Sequence, residues 1–159
     1  MKITILAVGK IKEKFYRDAV AEFQKRLRGY CRLQILEVED EKTPDGGKGG
    51  LEEQILRREA SRLLPHIRPE SYCIVLAIRG KKLDSVAFSK KLGALGLSGK
   101  SDVLFVIGGS LGLHPSVLER ADECLSFSDM TFPHQLMRVI LLEQIYRGFR
   151  IAANEPYHK

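Results

Sequence analysis

Five short apolar runs alternate along the chain with segments of helical periodicity, and this alternation restricts the fold more than any other feature. The apolar runs predict strands at residues 3–8, 33–39, 72–78, 103–107 and 124–128. The other segments predict helices at 13–28, at 51–64, from a cap at Asp84 through Leu92, in a short segment after Pro115, and from Pro133 to Phe149. This order favours an α/β fold with a mostly parallel sheet and helices on both faces. At 159 residues, the chain has the length of a single domain, residues 1–159.

The first helix and three connections carry more specific expectations. Apolar residues of this helix recur every four positions and are expected to form its buried face: Phe15, Ala19, Phe23 and Leu27. Residues 40–50 read as a glycine-rich polar loop, residues 79–82 as a turn, and residues 93–102 as a loop.

Three of the predicted strands end in polar or turn-forming residues. The third is followed by Arg79 and Gly80, and the fourth by Gly108 and Gly109. The fifth leads into residues 128–129, a serine and an aspartate. Ligands of parallel α/β sheets bind outside the carboxyl ends of the strands, so these ends are the expected location of a binding site.

The segment GGSLG, residues 108–112, follows a strand that is apolar throughout. Glycines let the backbone approach a ligand closely, and free N–H groups can bind its polar atoms. The same segment also fits a tight turn without a ligand, and both interpretations stay open. It is neither a GxGxxG fingerprint nor a phosphate-binding loop, because no GK[ST] follows, so a nucleotide-dependent oxidoreductase is disfavoured.

The last predicted helix is apolar around almost its whole circumference at 100° per residue. Its large apolar side chains are Leu136, Met137, Val139, Ile140, Leu141, Leu142, Ile145, Tyr146 and Phe149. One sheet cannot bury all of them in a small domain, so the helix is either central or packs on its own sheet and on a second subunit. A homodimer is favoured. Arg138 and Arg147 interrupt this surface, either as surface salt bridges or as contacts to phosphate.

Charge is positive overall and unevenly distributed. The net charge is +6 and the pI about 9.3, values compatible with nucleic acid or another polyanion as partner. Eight basic residues lie between Lys10 and Arg32, against three acidic ones. This basic stretch is either a solvated helix face or a contact to RNA.

The chain ends on Tyr157, His158 and Lys159. Terminal residues commonly fray, so this tail is either disordered or covers a site beside the last helix. His134, in the first turn of that helix, is interpreted as solvated or locally hydrogen-bonded rather than catalytic.

The cysteines and the apolar runs indicate whether the chain is expected to bind a metal, to cross a membrane and to reside in a reducing compartment. Cys31, Cys73 and Cys124 lack the paired spacing of a zinc site, so no metal is expected. Cys73 and Cys124 lie in apolar runs and are expected in the core. An odd number of widely spaced cysteines fits a reducing cytoplasm. No apolar run approaches the roughly 20 residues of a membrane span, so no membrane partner is predicted.

Several motifs together resemble a known family. They are the opening KITILAVGK, the GGSLG turn after VLFVI, the segment MTFPHQLMRVILLEQIYRGFRI and the terminal NEPYHK. In this order they resemble the ribosomal RNA large-subunit methyltransferase H family, which are small methyltransferases of the SPOUT class. The resemblance runs from Met1 to Lys159 and leaves no large region over.

The resemblance implies a structure and a reaction. It implies an α/β fold whose carboxyl-terminal part is threaded into a deep trefoil knot, and a homodimer with its site at the subunit interface. It implies S-adenosyl-L-methionine as cofactor, bound in the knot. The implied reaction methylates ring nitrogen 3 of a pseudouridine in 23S rRNA, in a stem-loop at the subunit interface of the assembled ribosome.

The resemblance also assigns residues. The implied cofactor contacts are Leu76, Gly108, Phe127, Ser128, Asp129, Met130, Thr131 and Phe132. Asp129 stands where the family usually has lysine, and Arg79 where it has an uncharged or acidic residue. We expect cofactor binding to survive, because loop backbone holds the cofactor, but Asp129 lowers the positive potential near the site.

The tail Tyr157–Lys159 matches a family tail that contributes to catalysis and substrate binding. The acceptor nitrogen must lose a proton, and the hypothesis is that His158 or Tyr157 aids its removal. Lys159 or Arg138 then favours the developing negative charge. A second hypothesis is a non-catalytic RNA-binding module of the ribosome, which would bind rRNA without binding S-adenosylmethionine.

Overall fold

Five strands form one sheet in this computed structural model, which describes residues 1–42 and 49–159. The strands are β1 (Lys2–Val8), β2 (Arg32–Val38), β3 (Tyr72–Lys82), β4 (Asp102–Ile107) and β5 (Glu123–Ser126). They lie in the order β2-β1-β4-β3-β5, and every neighbouring pair is parallel. All five strands stand where the apolar runs predicted them, and the parallel α/β sheet is confirmed.

The helices cover both faces of this sheet, as predicted. They are α1 (Lys14–Leu27), α2 (Gly49–Leu63), α3 (Ser85–Leu97), α4 (Pro115–Arg120) and α5 (His134–Ala152), with a short 3-10 turn at Leu64–His66. Helices α1, α3 and α5 bury one face of the sheet, and α2 and α4 bury the other.

Side chains of the central strands are apolar on both faces. In β1, Ile3 and Ile5 pack under α1, α3 and α5, whereas Leu6 and Val8 pack under α2 and α4. In β4, Phe105 packs under α1, α3 and α5, and Val106 packs under α2 and α4. A strand buried on both faces needs a continuous apolar run, which explains why these segments lack the alternation of a surface strand.

Strand β3 is longer than predicted, because residues 79–82 continue it instead of forming a turn. The pairing of β3 with β5 shifts register between Leu76 and Lys81. Gly80 permits the close approach, since a Cβ there would lie 2.7 Å from backbone atoms of Cys124 and Leu125. Pairing with a distant strand keeps this polar segment extended, and the predicted turn is wrong for that reason.

Helix α3 continues through Leu97, so the loop predicted at residues 93–102 is partly wrong. Gly93 and Gly96 lie inside the helix, and Leu92 and Leu95 on either side of Gly93 are buried. Burial of these leucines outweighs the cost of about 1 kcal/mol that a glycine imposes within a helix.

The buried stripe of α1 also differs from the prediction. Phe15 is 66% exposed, whereas Val20 and Leu27 are buried, and Tyr16 and Phe23 pack against the same core. Four residues turn a helix by about 400°, so a strict spacing of four drifts by about 40° at each step. The observed stripe alternates steps of four and three, and it leaves Phe15 outside the core.

Part of the predicted loop at residues 40–50 lies outside the described residues, namely 43–48; Gly49 and Gly50 already belong to α2. The trefoil knot stays a prediction. In the described ranges, no helix combines the length and apolar character needed to cross a membrane.

Candidate active site

A cavity of about 660 Å³ lies at the carboxyl ends of β3, β4 and β5. Its walls are residues 76–79 at β3, residues 107–113 after β4, and the segments 125–128 and 130–132 around the loop that leads to α5. These are the three strand ends that the sequence predicts as a binding edge. Parallel strands bring their carboxyl ends to one edge of the sheet, which is why residues far apart in sequence meet here.

Most of the predicted cofactor residues line this cavity. They are Leu76, Gly108, Phe127, Ser128, Met130, Thr131 and Phe132. Asp129 is absent from the lining, its side chain is 81% exposed, and its carboxylate lies 2.6 Å from Lys82 Nζ. The negative charge expected to weaken the potential near the site is therefore paired outside the cavity. Arg79 does line it.

The glycine segment after β4 is both a tight turn and a wall of the cavity. Gly112 N–H donates to the Gly109 carbonyl at 3.1 Å, and Gly112 has a φ of 85°, a left-handed value that favours glycine. A Cβ on Gly108 would lie 2.5 Å from the Gly112 carbonyl oxygen. The two interpretations of GGSLG are thus compatible, since the turn presents bare backbone to the cavity.

Serine side chains shape the loop between β5 and α5. Ser126 Oγ donates to the Ser128 carbonyl at 3.1 Å, and the Met130 N–H donates to Ser128 Oγ at 2.9 Å. Met130 is 73% exposed, whereas Phe127 and Phe132 are half-buried. The loop therefore combines a hydrogen-bonded backbone with apolar side chains beside the cavity.

His134 begins α5 and lines both this cavity and a smaller neighbouring one. Its Cε1 would lie 3.1 Å from a Cβ on Gly9, and its Nδ1 is buried without a hydrogen-bond partner among the described residues. Burial lowers the pKa of His134, and the positive charge of Arg138 lowers it further. The ring is partly exposed but packs against Gly9, so the interpretation as a solvated or locally bonded histidine fails at Nδ1 alone, and a non-catalytic role stays a prediction.

Arg138 lies inside the protein. It is 2% exposed and donates to Glu37 at 2.5 Å and to the Gly9 carbonyl at 3.1 Å. This ion pair connects α5 to the carboxyl ends of β1 and β2; its guanidinium is buried, whereas the Glu37 side chain is 34% exposed. A buried guanidinium engaged in this pair is not a surface salt bridge and is not free to meet phosphate. Its predicted role in stabilising charge on a substrate stays a prediction.

The tail is ordered and packs on the second half of α5. Tyr157 donates its hydroxyl to Glu143 at 3.1 Å, and its ring lies under the Arg147 guanidinium at 4.8 Å. His158 Nδ1 lies 3.2 Å from Arg147, which also binds Glu143 at 2.5 Å. Burial raises the pKa of Tyr157, and the hydrogen bond to Glu143 raises it further. Lys159 is exposed.

The sequence interpretation missed Glu143 as a member of this group and left Arg147 with two open roles. One signal was available, because residues 143 and 147 are separated by one helical turn and their opposite charges stand in an otherwise apolar helix.

Within one chain the tail and the cavity are far apart. The cavity touches α5 at His134 and Met137, whereas the tail touches it at Glu143 and Arg147. At 1.5 Å of rise per residue, His134 and Arg147 are separated by about 20 Å along the axis. The structure thus brings the cofactor candidates together and, separately, the tail candidates together.

Glu59 of α2 is a further buried carboxylate beside the glycine turn. It is 5% exposed and accepts a hydrogen bond from the Glu41 N–H at 3.0 Å. A Cβ on Gly109 would lie 3.5 Å from its oxygens. Burial raises the pKa of Glu59, opposed by the hydrogen bond from Glu41. Its position connects α2 to the back of the turn, and helical periodicity alone did not single it out.

Three comparisons with known proteins bear on the identity of this site. A family model described as "Predicted SPOUT methyltransferase" matches residues 1–158. The chain belongs to the SPOUT methyltransferase family. The cavity at the carboxyl edge is therefore the candidate active site of a SPOUT family member, and the family resemblance found in the sequence is confirmed.

Full-length relatives share much of the sequence of this SPOUT family member. The chain is 59% identical over 159 residues to "Ribosomal RNA large subunit methyltransferase H" of Bifidobacterium adolescentis, and 55% identical to the protein of that name from Clostridium kluyveri. It is also 55% identical to a "Putative ribosomal RNA large subunit methyltransferase H" of Methanococcus maripaludis. Each match covers 100% of both chains.

A solved structure supports the fold alone. It is that of "a probable methylase family protein from Haemophilus influenzae Rd KW20", with a TM-score of 0.56 at 13% identity. The alignment covers 99% of this chain and 70% of that one.

Proposed function

We propose that this protein uses S-adenosyl-L-methionine to methylate ring nitrogen 3 of a pseudouridine in 23S rRNA, in a stem-loop at the subunit interface of the assembled ribosome. The observation that carries the proposal is the glycine-walled cavity at the carboxyl ends of β3, β4 and β5 in a SPOUT family chain. Relatives at 55–59% identity that are named for large-subunit rRNA support RNA as the acceptor. We place this activity in one domain, residues 1–159, and in the cytoplasm, where ribosomes are found.

The cavity fits the cofactor in size and in the groups it presents. Its volume of about 660 Å³ lies within the range of about 300–1,000 Å³ typical of small-molecule sites. The bare backbone at Gly108 and the hydrogen-bonded loop from Ser128 to Phe132 offer N–H and C=O groups to polar atoms. Leu76 and Phe127 offer apolar walls to a ring system.

The cavity presents little charge to a ligand. Among the described residues that line it, Arg79 and His134 have ionisable side chains. The lowered pKa of His134 keeps its imidazole neutral near pH 7. When bound, S-adenosylmethionine supplies a methyl group on a positively charged sulfur. Because Arg79 would oppose that charge, we assign the binding of the cofactor to the backbone and apolar groups of the wall.

A homodimer explains how the tail and the cavity form one site. On α5, Leu136 and Ile140 are half-exposed, and they form one stripe with Glu143 and Arg147 at helical spacing. The opposite side of α5, with Leu141, is buried on the chain's own sheet. We place the stripe at a two-fold interface, where the tail of each chain reaches the cavity of the other.

The tail carries the groups that handle the proton and the charge. Arginine can only donate, so His158 Nδ1 accepts from Arg147, and a neutral His158 holds its proton on Nε2. His158 takes up the proton of the acceptor nitrogen once Nδ1 is released, or Tyr157 passes it to Glu143. Lys159 and Arg147 supply positive charge beside the developing imide anion; Arg147 replaces Arg138 in this role.

Methyl transfer to ribosomes tests the proposal. Ribosomes from a strain that lacks this protein are incubated with the full chain and methyl-labelled S-adenosylmethionine, and the label is mapped on the rRNA. The proposal predicts label on nitrogen 3 of one pseudouridine in 23S rRNA. Binding to ribosomes without cofactor binding in calorimetry would instead identify a non-catalytic RNA-binding module.

A further inference from the structure

We propose that the first turn of α1 docks RNA, with Phe15 as the stacking surface for an unpaired base of the substrate. The inference rests on the proposed function and extends it. It assigns a residue outside the cofactor cavity and the tail to the recognition of nucleotides that flank the modified one.

Phe15 is a large aromatic side chain held at the surface. It is 66% exposed, and its ring centroid lies 4.4 Å from that of Tyr16, which packs against the core. The buried stripe of α1 is complete without Phe15, since Tyr16, Val20 and Leu27 provide it. The two rings meet at an angle of 52°, and most of the Phe15 side chain stays accessible, as stacking on a base requires.

Three basic residues close to Phe15 in sequence, Lys10, Lys12 and Arg17, have no carboxylate partner among the described residues. Lys10 and Lys12 are exposed, and neither forms an ion pair within the described part of the chain. The Arg17 guanidinium donates to the Lys12 carbonyl at 3.0 Å rather than to a carboxylate. Lys14, by contrast, is paired with Asp18 at 2.6 Å. The surface therefore offers three cations to phosphate groups. This favours a nucleic acid over a neutral peptide as the bound partner.

This surface is continuous with the candidate active site. A second cavity, of about 330 Å³, lies between Gly9, Lys12 and Glu13 and shares His134 with the cofactor cavity. Phe15 follows Glu13 by two residues. RNA that places one nucleotide in the site can therefore extend along this edge without crossing the protein.

Charge within the second cavity orients the nucleic acid. Glu13, Glu39 and Asp40 line it and repel phosphate, and their oxygens can accept hydrogen bonds from base amino groups. Phosphates then face Lys10 and Lys12, and bases face inward. Single-stranded RNA is commonly bound in this way, with aromatic rings against bases and cations along the backbone.

The test compares substitutions at Phe15 in the full chain. Methyl transfer is measured with ribosomes from a strain lacking this protein, for Phe15→Ala, Phe15→Leu, Phe15→Trp and the control Leu97→Ala. Leu97 is 93% exposed at the end of α3, so it controls for loss of an exposed apolar side chain. We expect Phe15→Ala and Phe15→Leu to raise KM about 5- to 150-fold, the range for loss of one stacked base. Phe15→Trp and Leu97→Ala keep the wild-type KM, and all four bind S-adenosylmethionine normally.

Three outcomes overturn the proposal while leaving the proposed function intact, as long as the wild-type chain transfers methyl. Wild-type KM in Phe15→Leu would show that any apolar side chain suffices. Dissociation of Phe15→Ala into monomers in sedimentation would assign Phe15 to contact with a second copy. An unchanged dependence of KM on salt in Lys10→Ala/Lys12→Ala would remove the phosphate contacts, each of which should lower the slope by about 1. Absence of transfer by the wild-type chain would instead contradict the proposed function.

Discussion

The two halves of α5 serve different purposes although they belong to one continuous helix. The first half, with His134 and Met137, closes the cavity at the carboxyl edge and offers little charge to it. The second half binds the tail through Glu143 and Arg147 and is rich in ionic and aromatic contacts. One half suits a ligand held by backbone and apolar walls, and the other suits proton transfer.

These halves are separated by about 20 Å along the helix axis, so under the proposed function one chain would not complete the site alone. Two antiparallel copies of α5 would place the second half of each beside the first half of the other. The apolar stripe with Leu136 and Ile140 gives such a pairing its contact surface. The difference between the halves therefore supports the proposal of a site shared between two subunits.

Truncation after Glu155 should have the largest effect on activity. It removes Tyr157, His158 and Lys159 but keeps the bond from Tyr30 to Glu155 at 2.8 Å. We expect methyl transfer to fall about 10²- to 10⁴-fold, the contribution of general acid–base groups. Cofactor affinity in calorimetry should be unchanged. Full turnover by the truncated chain would remove the tail from the mechanism.

Gly108→Ala should weaken binding of the cofactor in the cavity. Its Cβ would lie 2.5 Å from the backbone oxygen of Gly112, so the turn must move. A cost of about 3 kcal/mol corresponds to about 100-fold weaker cofactor binding, measured by calorimetry. Gly93→Ala is the matched control, because its Cβ would meet no atom within 4 Å, and binding should stay normal. Equal affinity of the two variants would argue against the cavity as the cofactor site.

Arg138→Met should affect stability and leave chemistry unchanged. Loss of Arg138 leaves Glu37 unpaired, and because the Glu37 side chain is 34% exposed to solvent, we expect a cost of about 2 kcal/mol of unfolding free energy, measured with denaturant. Turnover of the folded variant should be normal. Arg147→Met provides the contrast. The Arg147 side chain is 23% exposed, so its substitution should lower turnover more than stability. A large loss of turnover in a stable Arg138→Met protein would restore the catalytic role predicted from the sequence.

His134 should give the smallest effect, a change in how stability depends on pH. Burial lowers its pKa in the folded chain below the ordinary value of 6.5, so the unfolded chain binds more protons between the two values. Stability contributed by the neutral ring should decline as pH falls through about 6.5 toward the lower folded pKa. Urea unfolding at several pH values should show a weaker decline in His134→Gln. An identical decline in both proteins would contradict the burial argument.

Local signals in the sequence predicted the sheet and most of one half of the site. Apolar runs located all five strands. Because the strands are parallel, the residues that follow β3, β4 and β5 lie at one edge of the sheet. Arg79, Gly108 and Ser128 line the cavity for this reason, whereas the family resemblance assigned Leu76. The residues of the tail were also singled out, but the family resemblance, not periodicity, assigned them roles.

Contacts between distant segments escaped the sequence interpretation. Arg138 pairs with Glu37 across 101 positions, and no local pattern distinguishes that pair from a surface salt bridge. Gly80 was interpreted as part of a turn, because its close approach to β5 depends on a register shift. Phe15 was assigned to the core because a strict spacing of four ignores the drift of the helix.

Complementation between two inactive variants tests the shared site most directly. Gly108→Ala and the chain truncated after Glu155 are each purified, mixed in equal amounts, dissociated and reassociated, and assayed for methyl transfer. If each site combines the cavity of one chain with the tail of the other, half of the dimers are mixed. Each mixed dimer then has one intact site, giving roughly a quarter of wild-type activity. Mixed dimers that form but show no more activity than the separate variants would contradict the account.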